Sequence, residues 1–160
     1  MRVGIGYDVH PLARGRRLVL GGIDVPFDKG LDGHSDADVL VHAIIDALLG
    51  AAGLGDIGTH FPSSEPEYKD ISSITILRQV GSLLQTDGWQ IENIDATIVA
   101  EQPKLSPFIP RMRQRISATL GISLEKVGVK STTSKGLGFV GKGEGIAAHA
   151  VALVEKLWQE

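Results

Sequence analysis

Asp8 and His10 stand two residues apart in the stretch Gly6-Tyr7-Asp8-Val9-His10. Residues i and i+2 of a strand share a face. Val3, Ile5 and Val9 give the run strand character, so a carboxylate and an imidazole project together near its end. That pair suits zinc or a similar divalent ion. Two ligands hold a metal weakly, and the best third is His42, on what reads as the first helix. Three protein ligands leave a fourth position open, the mark of a catalytic rather than a structural zinc site. The competing reading has Asp8 ending the strand in a turn and His10 preceding a loop proline, Pro11.

A second chemistry is suggested by Ser131-Thr132-Thr133-Ser134, flanked by Lys130 and Lys135 and followed by glycines. Hydroxyls and backbone N–H groups donate to phosphate oxygens, and lysine adds charge. The G-x-x-x-x-G-K-[ST] pattern is absent, and a plain turn is the competing reading. Asp46 lies one turn after His42. It can accept from the imidazole nitrogen that does not bind metal, or it is a helix-surface acid. The segment from Gly53 to Pro66 reads as irregular and is rich in glycine, hydroxyls and acids. Loops of that length are often functional; this one either folds over a polar ligand or simply connects. Arg111, Arg113 and Arg115 read as the solvated basic side of a helix rather than a phosphate site.

The elements that must position these residues follow from pattern. Leu18-Val19-Leu20 and Ile23-Asp24-Val25 flank Gly21-Gly22 as a small hairpin. The polar segment Leu31 to Asp38 leads into a helix from Asp38 to Ala51. Ser35, Asp36 and Asp38 are its candidate caps, and Val39, Leu40, Ala43, Ile44, Ala47 and Leu48 form its core stripe. A second helix runs from Ser72 to Thr86 with Gly88 as its stop. A strand is expected from Asn93 to Ala100, a third helix from near Pro110 to before Gly121, and a strand from Val127 to Lys130. The run from Gly145 to Trp158 suits a strand and a helix equally. The order β-β-β-α-α-β-α-β-β predicts an α+β fold, a single domain with helices packed on one face of a mixed β-sheet.

The chain has 160 residues, 42% hydrophobic and 22% charged, enough for one domain with a real core. Aromatics are 5%, so that core is aliphatic. A net charge of -3 and a pI near 5.9 argue against nucleic-acid binding. There is no cysteine, so no disulfide or thiolate metal site. The N-terminus does not read as a signal peptide, and no apolar run approaches the roughly 18 residues needed to span a bilayer. The expectation is a cytoplasmic protein with no membrane contact.

Taken together and in order, several short motifs resemble the 2-C-methyl-D-erythritol 2,4-cyclodiphosphate synthases of the non-mevalonate isoprenoid pathway. They are Gly6-Tyr7-Asp8-Val9-His10, His34-Ser35-Asp36-Ala37-Asp38 with His42, Gly55-Asp56-Ile57-Gly58, Phe61-Pro62, Pro103-Lys104, and Leu137-Gly138-Phe139 with Gly141, Gly143, Glu144 and Gly145. The resemblance covers essentially the whole chain. It implies a homotrimer whose sheets face the three-fold axis, with active sites between subunits. It also implies a cytidine diphosphate ester of methylerythritol 2-phosphate as substrate. The 2-phosphate attacks the β-phosphorus, CMP leaves, and the cyclic diphosphate forms, a phosphorus–oxygen lyase reaction.

On this resemblance Asp8, His10 and His42 bind zinc, and Asp8 and His10 also border the substrate. His34 and Thr133 stabilise the transition state. Ser35, Asp56, Ile57 and Gly58 hold the methylerythritol phosphate, with Phe61 and Glu65 on the adjoining loop. Ala100, Pro103, Lys104, Leu105 and Thr132 form the cytidine and diphosphate pocket. Ser134, Lys135, Phe139 and Lys142 complete the substrate-binding set. Mg2+ or Mn2+ is expected across the diphosphate, and association with other pathway enzymes is open.

The sequence departs from the family at three places. An acid usually stands where Lys135 does, and that acid is the protein ligand of the second metal. Protonated lysine cannot coordinate Mg2+, so phosphates and water hold it alone or the Lys135 ammonium takes over part of its charge. Lys142 replaces a common arginine, keeping charge but losing bidentate geometry. Ser63 and Ser64 stand where Asp-Thr is frequent, which bears on loop closure. Two other classes share the metal triad: a zinc-dependent phosphohydrolase, for which no dedicated general base is apparent, and a non-catalytic metal- or nucleotide-binding trimer. Retention of Asp8, His10, His34, His42 and Thr133 together argues against the latter.

Overall fold

The computed structural model describes residues 1–157. Its centre is a long strand, β1 (Arg2–Arg14), lying under a buried helix, α1 (Val39–Ala52). Along β1, Gly4 and Gly6 face the helix while Val3, Ile5, Tyr7 and Val9 face away. The two elements meet backbone to backbone. A Cβ on Gly4 would lie 2.0 Å from the Ala47 carbonyl oxygen, and one on Gly6 would lie 1.8 Å from that of Ala43. Only glycine permits that approach. Within α1 every residue is buried except His42, Asp46 and Gly50. The expected stripe therefore understates the burial, because sheet, hairpin and a second helix enclose α1 and leave only an i, i+4, i+8 line open.

β2 (Leu18–Leu20) and β3 (Ile23–Val25) form the expected hairpin, with Gly21 and Gly22 at φ of 61° and 72°. Two left-handed residues in succession make the two-residue turn whose twist matches the strands. β4 (Lys29–Leu31) pairs antiparallel with the far end of β1. After α1 come α2 (Ile57–His60), α3 (Ser73–Thr86), β5 (Trp89–Val99), α4 (Ile109–Leu120), β6 (Val127–Thr132), α5 (Gly138–Gly141) and β7 (Gly145–Lys156). The sheet order is β4-β1-β7-β5-β6. β5 and β6 are parallel and the other pairs antiparallel, so the sheet is mixed and the domain is α+β, as the element order predicts.

The ambiguous C-terminal run is a strand, paired on both sides by β1 and β5. Its period-2 set Ile146, Ala148, Ala150, Ala152 and Val154 is buried, and the small alanines let α1 lie close above. The expected extension to Trp158 falls outside the described residues. β5 starts four residues before the expected Asn93, because a bulge at Glu92 puts Ile91 and Ile94 on one face at a spacing of three and breaks the alternation. β6 runs two residues past the expected Lys130. β4, α2 and α5 are too short to carry a period. Among the described residues no helix is long and apolar enough to cross a membrane.

Arg113 is not part of a solvated basic side. Its Nε donates to the Val127 carbonyl at 2.7 Å and its Nη2 to that of Leu124 at 3.2 Å, tying α4 to the start of β6. Arginines at i, i+2 and i+4 do not share one helix face.

Candidate functional site

Asp8 and His10 follow Gly4 and Gly6 on the helix-facing side of β1, where the glycine contact ends and room opens for side chains. They lie within the strand, opposite Ala148 and Ile146 of β7, rather than in a turn at its end. α1, pressed on the glycines, brings His42 over them. Asp8 Oδ2 is 3.0 Å from His10 Nε2 and 3.0 Å from His42 Nδ1. The three ligand atoms all lie within 4.8 Å of one another, so the group can hold a metal ion. The side chains are partly buried, with 25%, 21% and 11% exposure for Asp8, His10 and His42. Burial pushes the Asp8 carboxyl up, but hydrogen bonds and charge from His10 and His42 more than reverse it and hold it at about 2. The same carboxylate raises His10 against its own burial, aided by the Asp32 carbonyl.

The donor chemistry fits a cation. His10 Nδ1 is 3.0 Å from the Asp32 carbonyl oxygen. A carbonyl only accepts, so Nδ1 carries the hydrogen and Nε2 of the neutral ring is a bare lone pair. That lone pair faces an ionised carboxylate. Two acceptors at this distance need a positive charge between them, supplied by a proton or by a metal. Two imidazole nitrogens and one carboxylate oxygen match the preferences of Zn2+ and neighbouring first-row ions.

Asp46 does not support His42. Its Oδ1 accepts the Ile57 N–H at 2.8 Å, anchoring the start of α2. The Nε2 of His42 is turned instead toward Ser73 and Ser35, at 2.8 and 3.3 Å. An acid one turn along a helix is in reach of a histidine only if both side chains lean the same way; here Asp46 serves the following loop.

The loop from Leu31 to Ser35 carries the other expected groups. His34 is exposed, and its carbonyl accepts the Asp70 N–H at 2.8 Å. Ser35 Oγ accepts from the Ala37 N–H at 3.2 Å. Arg16, which sequence reasoning missed, organises this loop. It donates to the carbonyls of Leu31 at 3.1 Å, Gly33 at 3.4 Å and Ser35 at 3.1 Å. An arginine between Gly15 and Arg17 gives no sequence signal for that role.

The segment from Gly53 to Pro66 is not a bare loop, because α2 lies inside it. Asp56 caps α2, accepting the Thr59 N–H and hydroxyl, both at 2.8 Å. Those bonds lower its pKa. Ile57 and Gly58 are in α2, Phe61 packs edge-on to Tyr68 at 5.6 Å between ring centroids, and Glu65 is exposed just before Pro66.

A separate cavity of about 480 Å³ opens where β5 and β6 end together. Ala100, Pro103, Lys104 and Leu105 line one side, Ser131, Thr132 and Thr133 the other. None of Asp8, His10, His34 or His42 lines it. Lys130 is not part of a phosphate cradle, since its ammonium donates to both Asp95 oxygens at 2.8 and 2.7 Å. Ser134 N–H donates to Glu101 at 2.6 Å, and Lys135 N–H to the Thr133 hydroxyl at 3.3 Å. Lys135 takes a left-handed φ of 55° and leaves its side chain exposed. Phe139 lies exposed on α5, and Lys142 is exposed just beyond it.

Fold and centre together define a single-domain α+β protein with a two-histidine, one-carboxylate group suited to a divalent cation. Residues 1–155 match the model of the YgbB family, and the chain belongs to that family. A 2-C-methyl-D-erythritol 2,4-cyclodiphosphate synthase of Syntrophomonas wolfei subsp. wolfei is 60% identical over 156 residues, covering 98% of this chain and 99% of its own. A solved cyclodiphosphate synthase in its CDP-bound form superposes with a TM-score of 0.88 at 34% identity, covering 96% of this chain and 100% of that one. The bifunctional IspDF of Campylobacter jejuni superposes with a TM-score of 0.94 at 38% identity; the match covers 98% of this chain and 42% of that one.

Proposed function

We infer that the protein converts 4-(cytidine 5'-diphospho)-2-C-methyl-D-erythritol 2-phosphate to 2-C-methyl-D-erythritol 2,4-cyclodiphosphate with release of CMP, in isoprenoid precursor biosynthesis. The observation that carries this reading is the convergence of Asp8, His10 and His42 in a chain that matches the synthases from end to end. A divalent ion held by these residues, Zn2+ in our reading, supplies charge neutralisation and Lewis acidity at a phosphoryl oxygen. The 2-phosphate oxygen attacks the β-phosphorus, the bond from that phosphorus to the CMP oxygen breaks, and CMP carries away the electron pair. Catalysis of this kind is mostly positioning and electrostatics.

The residues divide that work. Ser35, with the N-terminus of α2 at Asp56, Ile57 and Gly58, holds the methylerythritol phosphate, and Phe61 and Glu65 border it. His34 and Thr133 donate to the oxygens that gain charge as the ring closes. Ala100 to Leu105 and Thr132 receive cytidine and the diphosphate, in keeping with the cavity they line and with the CDP-bound relative. Ser134, Lys135, Phe139 and Lys142 bound the diphosphate side. Mg2+ or Mn2+ would supply further charge neutralisation at the diphosphate without a carboxylate at position 135, and the Lys135 ammonium takes part of that role.

Residues 1–160 act as one synthase domain in a homotrimer. Two observations favour the trimer. The metal group and the cytidine cavity are lined by different residues, as expected for a site completed by a neighbour. The face of β1 turned from the helices also leaves Val3 and Ile5 72% and 74% exposed, beside Tyr7 and Val9, an apolar patch of the kind that marks an interface. We place the enzyme in the cytoplasm. The Campylobacter relative is bifunctional, in keeping with association between enzymes of this pathway.

Phosphorus NMR on the protein with the cytidine substrate, Zn2+ and Mg2+ tests the reading. Coupled cyclic-diphosphate resonances with stoichiometric CMP are expected. Orthophosphate would make it a hydrolase, and no turnover with zinc bound would make it a binding protein.

A further inference from the structure

Ser73, the first residue of α3, is fully buried yet carries a hydroxyl. Its Oγ lies 2.8 Å from His42 Nε2 on one side and in a short contact with Asp36 Oδ1 on the other. A serine has one hydrogen to give. Asp36 is already an acceptor: its Oδ2 takes the Ser73 N–H at 3.0 Å and its Oδ1 the Asp38 N–H at 3.1 Å. If the hydroxyl hydrogen pointed to His42, two oxygen acceptors would meet at the Asp36 contact with nothing between them. The hydrogen therefore goes to Asp36, and the serine oxygen offers His42 a lone pair.

We propose that Asp36 and Ser73 form a positioning relay that keeps a hydrogen on His42 Nε2 and so reserves Nδ1 for the space it shares with Asp8 and His10, where a proton or an ion lies between Nδ1 and Asp8 Oδ2 at 3.0 Å. The relay rests on the metal reading of that space and adds what determines its affinity. His10 receives the matching treatment from the Asp32 carbonyl, so both rings are set from outside before an ion arrives. Outer partners of this kind are worth about 10–100-fold in metal affinity. Ser35 Oγ is a poor substitute at 3.3 Å. It accepts the Ala37 N–H, so its own hydrogen is free to point at Nε2 and favour the wrong tautomer.

The test reads tautomer and affinity separately. Long-range proton–nitrogen NMR at pH 8 on the wild-type protein, metal-free and zinc-loaded, is expected to find a hydrogen on His42 Nε2 in both. Ser73→Ala is expected to move a measurable fraction of the metal-free protein to the Nδ1–H form. Its zinc affinity, by competition with a chromophoric chelator, should fall about 10–100-fold, while Ser73→Thr stays near wild type. Asp36→Ala should act in the same direction, because it removes the acceptor and frees the hydroxyl hydrogen to point at His42; it also carries the test if Ser73→Ala does not fold. Retention of Nε2–H and of zinc affinity in the folded variants overturns the relay. If the wild type itself takes up no zinc, the metal reading fails, and the tautomer shift between wild type and variant still decides the relay.

Discussion

Gly6 of β1 and Ala43 of α1 are in direct backbone contact, so close that a Cβ on Gly6 would lie 1.8 Å from the Ala43 carbonyl oxygen. Asp8 stands two residues after Gly6 and His42 immediately before Ala43, and their 3.0 Å approach depends on that contact. Gly6→Ala must push the helix from the strand or distort both. Overpacking of this kind costs about 3 kcal/mol, or about 6–12 °C in melting temperature for a chain of this size. We expect that loss by thermal unfolding, together with weakened zinc binding in whatever fraction folds. A variant that melts like wild type and binds zinc as tightly would break the link between the glycine contact and the centre.

The same contact explains what was legible in the sequence. Asp8, His10 and His42 could be picked out because i, i+2 on a strand and an off-stripe histidine on a helix leave periodic traces. The polar His42 and Asp46 on an otherwise buried helix carried the same kind of signal, but it named the wrong partner, since nothing in a helical period tells which way Asp46 leans. Ser73 and Arg16 were missed for a related reason. A buried serine at a helix start reads as a cap, and an arginine in a turn reads as solvated. Their roles arise from contacts across 31 and up to 19 residues of chain, which no local pattern encodes. The short elements β4, α2 and α5 escaped because three or four residues cannot show a period.

Arg16 holds the carbonyls of Leu31, Gly33 and Ser35 from one guanidinium, and its Nη1 lies 3.7 Å from Asp32 Oδ1. The loop it braces presents the Asp32 carbonyl to His10 and carries His34 and Ser35. Arg16→Ala should loosen all three at once, lowering kcat/KM about 10-fold or more, the cost of roughly 1.5 kcal/mol in misplacement of groups that act by position. Lysine has one compact donor group where arginine has a rigid fork, so Arg16→Lys should recover little. Steady-state kinetics on both variants checks this, and full activity in Arg16→Lys would mean that charge rather than the fork matters.

Lys135 has an exposed side chain and donates its backbone N–H to the Thr133 hydroxyl, in the loop proposed to hold the diphosphate. If it takes over part of the second metal's charge, Lys135→Glu should steepen the Mg2+ dependence of turnover, and Lys135→Ala should lower activity at all Mg2+ concentrations. Initial rates across a Mg2+ titration separate these outcomes. An unchanged Mg2+ dependence in Lys135→Glu would remove the lysine from the diphosphate site.

Asp38 is a fully buried carboxylate that accepts the Gly21, Gly22 and Val41 N–H groups at 2.9, 2.7 and 3.1 Å. It caps α1 and pins the β2–β3 turn to it. Burial, with the charge of Asp36, pushes its pKa up to about 6 despite those bonds. The folded pKa thus exceeds the ordinary 3.8, so the native state binds this proton more tightly than the unfolded chain. The group's contribution to stability is therefore most favourable below pH 3.8, falls as pH rises to about 6, and is flat above. The span is on the order of 3 kcal/mol. Asp38→Asn has no such titration, so its urea-unfolding free energy should lack this component of the fall between pH 4 and 6. At pH 7 it should still be less stable than wild type by about 1–2 kcal/mol, because one amide oxygen cannot serve three donors. Unfolding curves for both proteins at pH 4, 5, 6 and 7 give the difference directly. A constant gap across that range would mean that Asp38 titrates near its ordinary value in spite of its burial.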